Sequence, residues 1–163
     1  MAAAAGSDVV GTSSQAVAAV RRVRGAVVGM VLGLLVQYAV GILVNLFAAV
    51  PLHHPGHDSA NYFGGVVAVI PWAIGGGGAL AVHAALGLLL VLDGAFIFIR
   101  ALTLRRRALG WLTGLGVLFV LGAGFNGASF LEYNHDQSSL VMGWLFALAL
   151  LCYILALVRI RPA

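Results

Sequence analysis

Long apolar runs punctuated by arginines constrain this chain more than any motif in it. All nine basic residues are arginine. They form three groups: Arg21, Arg22 and Arg24; Arg100 with Arg105, Arg106 and Arg107; and Arg159 with Arg161. Four apolar runs adjoin them, at about 25–50, 79–99, 108–125 and 139–158. Each has on the order of 18–25 residues, which suits a bilayer core crossed at about 1.5 Å per residue. Backbone groups in hydrocarbon must pair within their own segment, so each run is predicted to be a helix. Only 9% of the 163 residues are charged, against about 25% in a soluble domain. The expected fold is all-α, an integral membrane four-helix bundle.

Arginine placement also predicts direction. Excess Arg marks the cytoplasmic side of a membrane protein. With both termini inside, every arginine falls on the inner side of a four-span chain, here a plasma (inner) membrane protein. Flipping the chain puts every arginine outside. Residues 1–20 are rich in Ala, Ser and Gly and read as a disordered or loosely helical cytoplasmic segment before a transmembrane domain over 21–163. A cleaved signal peptide is the competing reading of Arg21–Val50, but the apolar stretch is too long for one. The pI near 10.0 comes from these boundary clusters. They suit topology and anionic lipid better than nucleic acid, which would need a basic face interleaved with aromatics.

Outer loop 1 is unusual. Pro51–Tyr62 is polar, Phe63–Ile74 is apolar but too short to span, and Gly75–Gly78 is a four-glycine break. The apolar dozen is expected to form a short interfacial or re-entrant helix; the alternative is one long broken second span starting near Gly64. Ser138 and Ser139 read as an N-cap for the last span.

Small and polar residues recur at fours in the first run: Gly25, Gly29, Gly33, Gln37, Gly41 and Asn45. Such a row predicts close helix contact with polar cross-helix bonds. The third run repeats the idea at Gly110 and Gly114, then Gly122 and Asn126. Packing within the bundle is the first reading, and a homodimer through these ridges the second. The lone Cys152 makes no internal disulfide and reads as a packing residue.

Two ionisable residues lie within spans, which by default marks a functional hypothesis. Asp93 sits on nearly the same face as Arg100, about 10 Å away along the axis. It reads as a packing carboxyl bonded to Gln37, Thr103 or Thr113, or else as part of a proton or cation relay. His83 lies near the outer end of its span. Around it the topology gathers His53, His54, His57 and Asp58 from outer loop 1, with Glu132, His135 and Asp136 from outer loop 2. Imidazole and carboxylate suit a transition metal or haem iron. A solvated polar loop and a pH-sensing cluster are the other readings. For haem b, His83 and His135 would be the ligands and Gly87 would admit the porphyrin edge.

LVQYAVGILVNLF (Leu35–Phe47) and HAALGLLLVL (His83–Leu92) resemble the first two helices of one four-helix half of the heme A synthase-type membrane haem proteins. The resemblance covers two of the four spans. It implies the bundle architecture, a short helix in the first outer loop and haem binding through His83. The second ligand histidine of that family would fall here near Val141–Met142, and the loop acid and cysteine pair are missing, so synthase activity does not carry over.

Three function classes follow: a membrane haem or metal protein with its site at the outer face, a non-enzymatic accessory or assembly subunit of a larger membrane complex, or a small transporter. Expected partners are the lipid bilayer, other membrane subunits or a second copy, and no nucleic acid. No GxSxG, HExxH or P-loop appears, and Gly75–Gly78 lacks the GK[ST] of a phosphate cradle.

Overall fold

The computed structural model describes residues 5–48 and 59–160, without the side chains of residues 5–14 and 16. It is all-α, with the helices α1 (Ala5–Phe47), α2 (Tyr62–Gly75), α3 (Gly78–Thr103), α4 (Arg107–Tyr133) and α5 (Asp136–Arg159). The four long helices are each long and apolar enough to cross a membrane, α1 through its part from Val17 to Phe47. Two boundaries depart from the sequence expectation. Helix α1 is already formed at Ala5. Helix α4 runs on through Phe125–Tyr133, whose polar residues suggested a loop.

That extension has a local cause. The Asn126 side-chain amide donates to the Gly122 carbonyl one turn back, at 2.8 Å, and so is satisfied inside the helix. Ser129 and Glu132 are buried at 1% and 4% exposure beneath α2 rather than facing water. The helix stops at Asn134, which takes the left-handed conformation (φ 50°) while its N–H bonds to the Phe130 carbonyl. Asn tolerates that conformation because its short polar side chain bonds locally. Helix α5 then begins at Asp136, with His135 at the N-cap position. Ser138 and Ser139 therefore lie inside the first turn and do not cap it.

α2 is a helix of its own and not the start of a broken second span. Asn61 opens it by accepting from the Phe63 and Gly64 amides. The glycine run closes it: Gly77 (φ 77°) and Gly78 (φ 65°) take positive φ values that side-chain-bearing residues rarely adopt, and the chain turns directly into α3.

Among the described residues the long helices form a ring. α1 packs on α3 and α5, α4 packs on the same two, and α1 does not touch α4. α2 lies across the ends of α3 and α4. Neighbours run antiparallel: on α1 and α3, Gly33 meets Leu90 while Gly41 meets His83 further along. All the described arginines from Arg21 onward therefore sit at one end of the ring and α2 at the other.

The core seam uses alternating steps of four and three. Val23, Val27, Met30 and Leu34 are buried on α1, and Leu90, Gly94, Ile97 and Ala101 on α3. This corrects the expectation that the four-residue row would face a helix along its whole length. At 3.6 residues per turn, a strict step of four drifts by about 40° each time. The row meets α3 only from Gly33 to Gly41; Gly25 and Gly29 have nothing within 4 Å of a Cβ position, and Asn45 is exposed. Gly110 and Gly114 do face a helix, against Leu102 and Phe98 of α3, and Gly122 meets Leu145 of α5.

Tyr153 joins three helices. It is fully buried on α5, its ring lies 2.8 Å from the position of a Cβ on Gly116 of α4, and its hydroxyl 2.8 Å from one on Gly94 of α3. A methyl group at either glycine would displace a ring held on all sides. Gly116→Ala is expected to lower stability by about 1–3 kcal/mol, the range for overpacking a core. Gly124→Ala, where nothing lies within 4 Å, is expected to be neutral or to raise it by up to about 1 kcal/mol through helix propensity. Unfolding of the purified variants in detergent, followed by circular dichroism, measures both.

Candidate functional site

The polar centre of the ring is the α1–α3 seam at Gln37 and His83. Two glycines make room for it. Gly41 lies against the His83 ring, 3.0 Å from a Cβ position to Cε1, and Gly87 lies against the Gln37 amide, 3.2 Å from a Cβ position to Nε2. The Gln37 amide nitrogen donates to the His83 carbonyl at 3.1 Å and sits 3.3 Å from His83 Nε2. With that amide donating, Nε2 accepts and the neutral ring carries its proton on Nδ1. Gln37 Oε1 and His83 Nδ1 are buried with no partner among the described residues. The seam is thus half satisfied: one side chain binds the other tightly, and each keeps one buried polar atom over.

This arrangement bears on the haem expectation. A haem ligand would present a free ring nitrogen to an open space. Here Nε2 faces Gln37, and the space over Gly87 is filled by the Gln37 amide. The space over Gly94, further along the same face, is filled by Tyr153. His135 is exposed at the start of α5 and stacks on Tyr133, with ring centroids 6.0 Å apart. As placed, these residues do not fit a porphyrin with two axial imidazoles.

No three His, Cys, Asp or Glu side chains gather to hold a metal ion among the described residues. Of the expected ligands, His53, His54, His57 and Asp58 lie outside the described residues. Glu132 is buried under α2, with Oε1 3.0 Å from the position of a Cβ on Gly65. Asp136 is exposed and faces the other way, into a groove described below.

Asp93 is half-buried midway along α3. The partners expected for it bond elsewhere: Gln37 to His83, Thr103 to the Arg100 carbonyl, and Thr113 to the carbonyls of Leu109 and Gly110 in its own helix. Arg100 does not fold back to Asp93; its guanidinium lies 5.1 Å from the centroid of the Phe96 ring.

Two features were not read from the sequence. One is the junction of α2 with the bundle. The Tyr62 hydroxyl bonds to Ser129 at 2.6 Å, Ser129 sits 3.3 Å from Ser138, and the Tyr133 hydroxyl donates to the Tyr62 carbonyl. The Tyr62 and Tyr133 rings stack with centroids 5.0 Å apart, so α2 is held by a hydroxyl chain and an aromatic pair together. The other is an open groove of about 650 Å³ between α1 and α5, reaching Phe130 of α4 and lined also by Asn45, Asp136, Ser139, Gly143 and Trp144. The only hint of it in the sequence was Asn45 at the end of the glycine row. Comparison with known proteins finds no matching family model, no similar curated protein and no similar solved structure.

Gln37→Leu removes the donor and leaves His83 Nε2 without one, while the His83 carbonyl keeps its bond within α3. Cross-helix side-chain bonds in membranes contribute about 0.6 kcal/mol on average and about 1.7 kcal/mol at most. Denaturation of the variant in mixed micelles is expected to show a loss within that range, whereas unchanged stability would show that the pair contributes nothing.

Proposed function

We propose that this is a four-span membrane protein acting as a non-enzymatic accessory or assembly subunit, which binds a transmembrane helix of a partner at the groove between α1 and α5. Its arginine end faces the cytoplasm of a plasma (inner) membrane, both termini lie on that side, and α2 rests at the outer interface. Support for the orientation is the arginine clustering, which the positive-inside rule reads directly. Support for the spans is the four long apolar helices.

The observation that carries the binding role is the make-up of the groove. Asn45 is exposed on a helix face where Ile42, Leu43 and Leu46 are also exposed. An amide directed at lipid is expensive, and in membranes such groups find partners across helices. Gly143 has nothing within 4 Å of a Cβ position, so a neighbouring backbone can approach it closely. Asp136 and Ser139 add polar groups in the first turn of α5, and Trp144, 66% exposed, supplies a broad apolar wall. Small residue, polar bonding groups and an aromatic side make up what a helix–helix interface needs, and this chain places no helix of its own described residues there. The transport reading has less to draw on, since Gln37 and His83 bond to each other and Asp93 lies ten residues further along α3, about 15 Å away along the axis, so the three do not form a continuous path.

Photo-crosslinkers placed at Ser139 and Gly143 in native membranes are expected to give a defined adduct, and one at lipid-facing Leu118 none. An adduct of twice the 16.8 kDa chain would identify a second copy as the partner. Equal labelling from Leu118, or no adduct from the groove, would contradict the proposal.

A further inference from the structure

At the opposite end of the ring a second cavity, of about 300 Å³, opens between α1 and α3. Its floor is apolar: Val23, Ala26, Phe96 and Ile97 line it. Its rim carries two cations, Arg22 and Arg100, both exposed. Neither forms an ion pair with a carboxylate among the described residues. The Arg22 Nε makes one long bond, 3.4 Å, to the Ala18 carbonyl, which leaves its other N–H groups to face outward. Arg100 is braced over the Phe96 ring at 5.1 Å, a cation–π contact that holds a guanidinium without consuming its donors. The Thr103 hydroxyl is turned to the Arg100 carbonyl at 2.7 Å, so recognition at this rim falls to the guanidiniums.

We infer that this cavity binds the phosphate headgroup of an anionic phospholipid, held between Arg22 and Arg100 with its acyl chains laid along the apolar face of α3. Arginine pairs with phosphate through two parallel N–H bonds, and two arginines at one rim can hold a single phosphodiester from both sides. The surface leading away from the rim is what an acyl chain needs. Phe96, Leu92 and Leu89 are at least half exposed along that side of α3, one turn after another on the membrane side of Arg100. A free inorganic phosphate would use the cations but not the floor, so the joining of cationic rim, apolar floor and apolar flank favours a lipid. Basic pockets between helices at the cytoplasmic interface are a recurrent mode of anionic-lipid recognition.

The inference rests on the reading of the four helices as membrane spans, and the experiment separates the two. The full chain, purified in mild detergent, is titrated with phosphatidylglycerol, with phosphatidylcholine of the same chain length and with inorganic phosphate; retained lipid is counted by native mass spectrometry. Phosphatidylglycerol is expected to be retained preferentially. Each of Arg22→Gln and Arg100→Gln should weaken that retention about five-fold, the effect of about 1 kcal/mol per basic residue near anionic lipid, while Arg159→Gln should leave it unchanged. Equal retention of the two lipids, equal loss in Arg159→Gln, or protection by inorganic phosphate alone would overturn the headgroup site and leave the membrane reading standing. Retention of neither lipid would likewise overturn the headgroup site alone.

Discussion

Lipid tails are as apolar as leucine, so hydrophobic burial cannot tell one transmembrane helix which neighbour to choose. The order of this ring therefore depends on close approach at glycines and on the few side chains that fill them. Tyr153 is the clearest case. Its ring occupies the space that Gly116 leaves on α4, and its hydroxyl reaches the space that Gly94 leaves on α3, so one side chain of α5 fixes the mutual positions of three helices. Gly41 and Gly87 do the same for α1 and α3 around the Gln37–His83 pair. Remove these spaces and the same apolar helices would have no reason to prefer this order.

From that constraint the rest follows. A ring closed by antiparallel neighbours puts all the described arginines from Arg21 onward at one end, where Arg22 and Arg100 flank a cavity of about 300 Å³. It puts the ends of α3 and α4 together at the other, where α2 lies across them and covers Ser129 and Glu132. It leaves α1 and α5 in the slightest contact of the ring, marked by the Tyr38 and Phe146 rings with centroids 6.0 Å apart, and the groove opens beyond them. In the proposed reading both openings serve binding, one for a partner helix and one for a lipid.

Much of this was legible in the sequence, because long apolar runs and arginines are strong local signals. The four long helices, the separate short helix and the turn at the glycine run follow from them. What was not legible depended on tertiary contacts. Asn126, Ser129 and Glu132 look like loop residues until a fifth helix covers them and an internal carbonyl accepts the Asn126 amide. The glycine row looked continuous because spacing by four is easy to see, while the drift that turns Gly25 and Gly29 away is a property of helix geometry. His83 looked like a metal or haem ligand because an isolated intramembrane histidine invites that reading; its neighbour Gln37 was visible only as one member of the row. Nothing in the sequence pointed to Tyr153, since its partners are glycines far away in the chain.

The central claim is a four-span bundle with its arginine end inside and α2 outside. Single cysteines in place of Ser59, Asn134 and Arg106, in a Cys152→Ala background, test it most directly when intact cells are treated with a membrane-impermeant thiol reagent. The account predicts labelling at positions 59 and 134, and labelling at position 106 only after the membrane is permeabilised. Labelling at 106 in intact cells, with 59 and 134 protected, would contradict it.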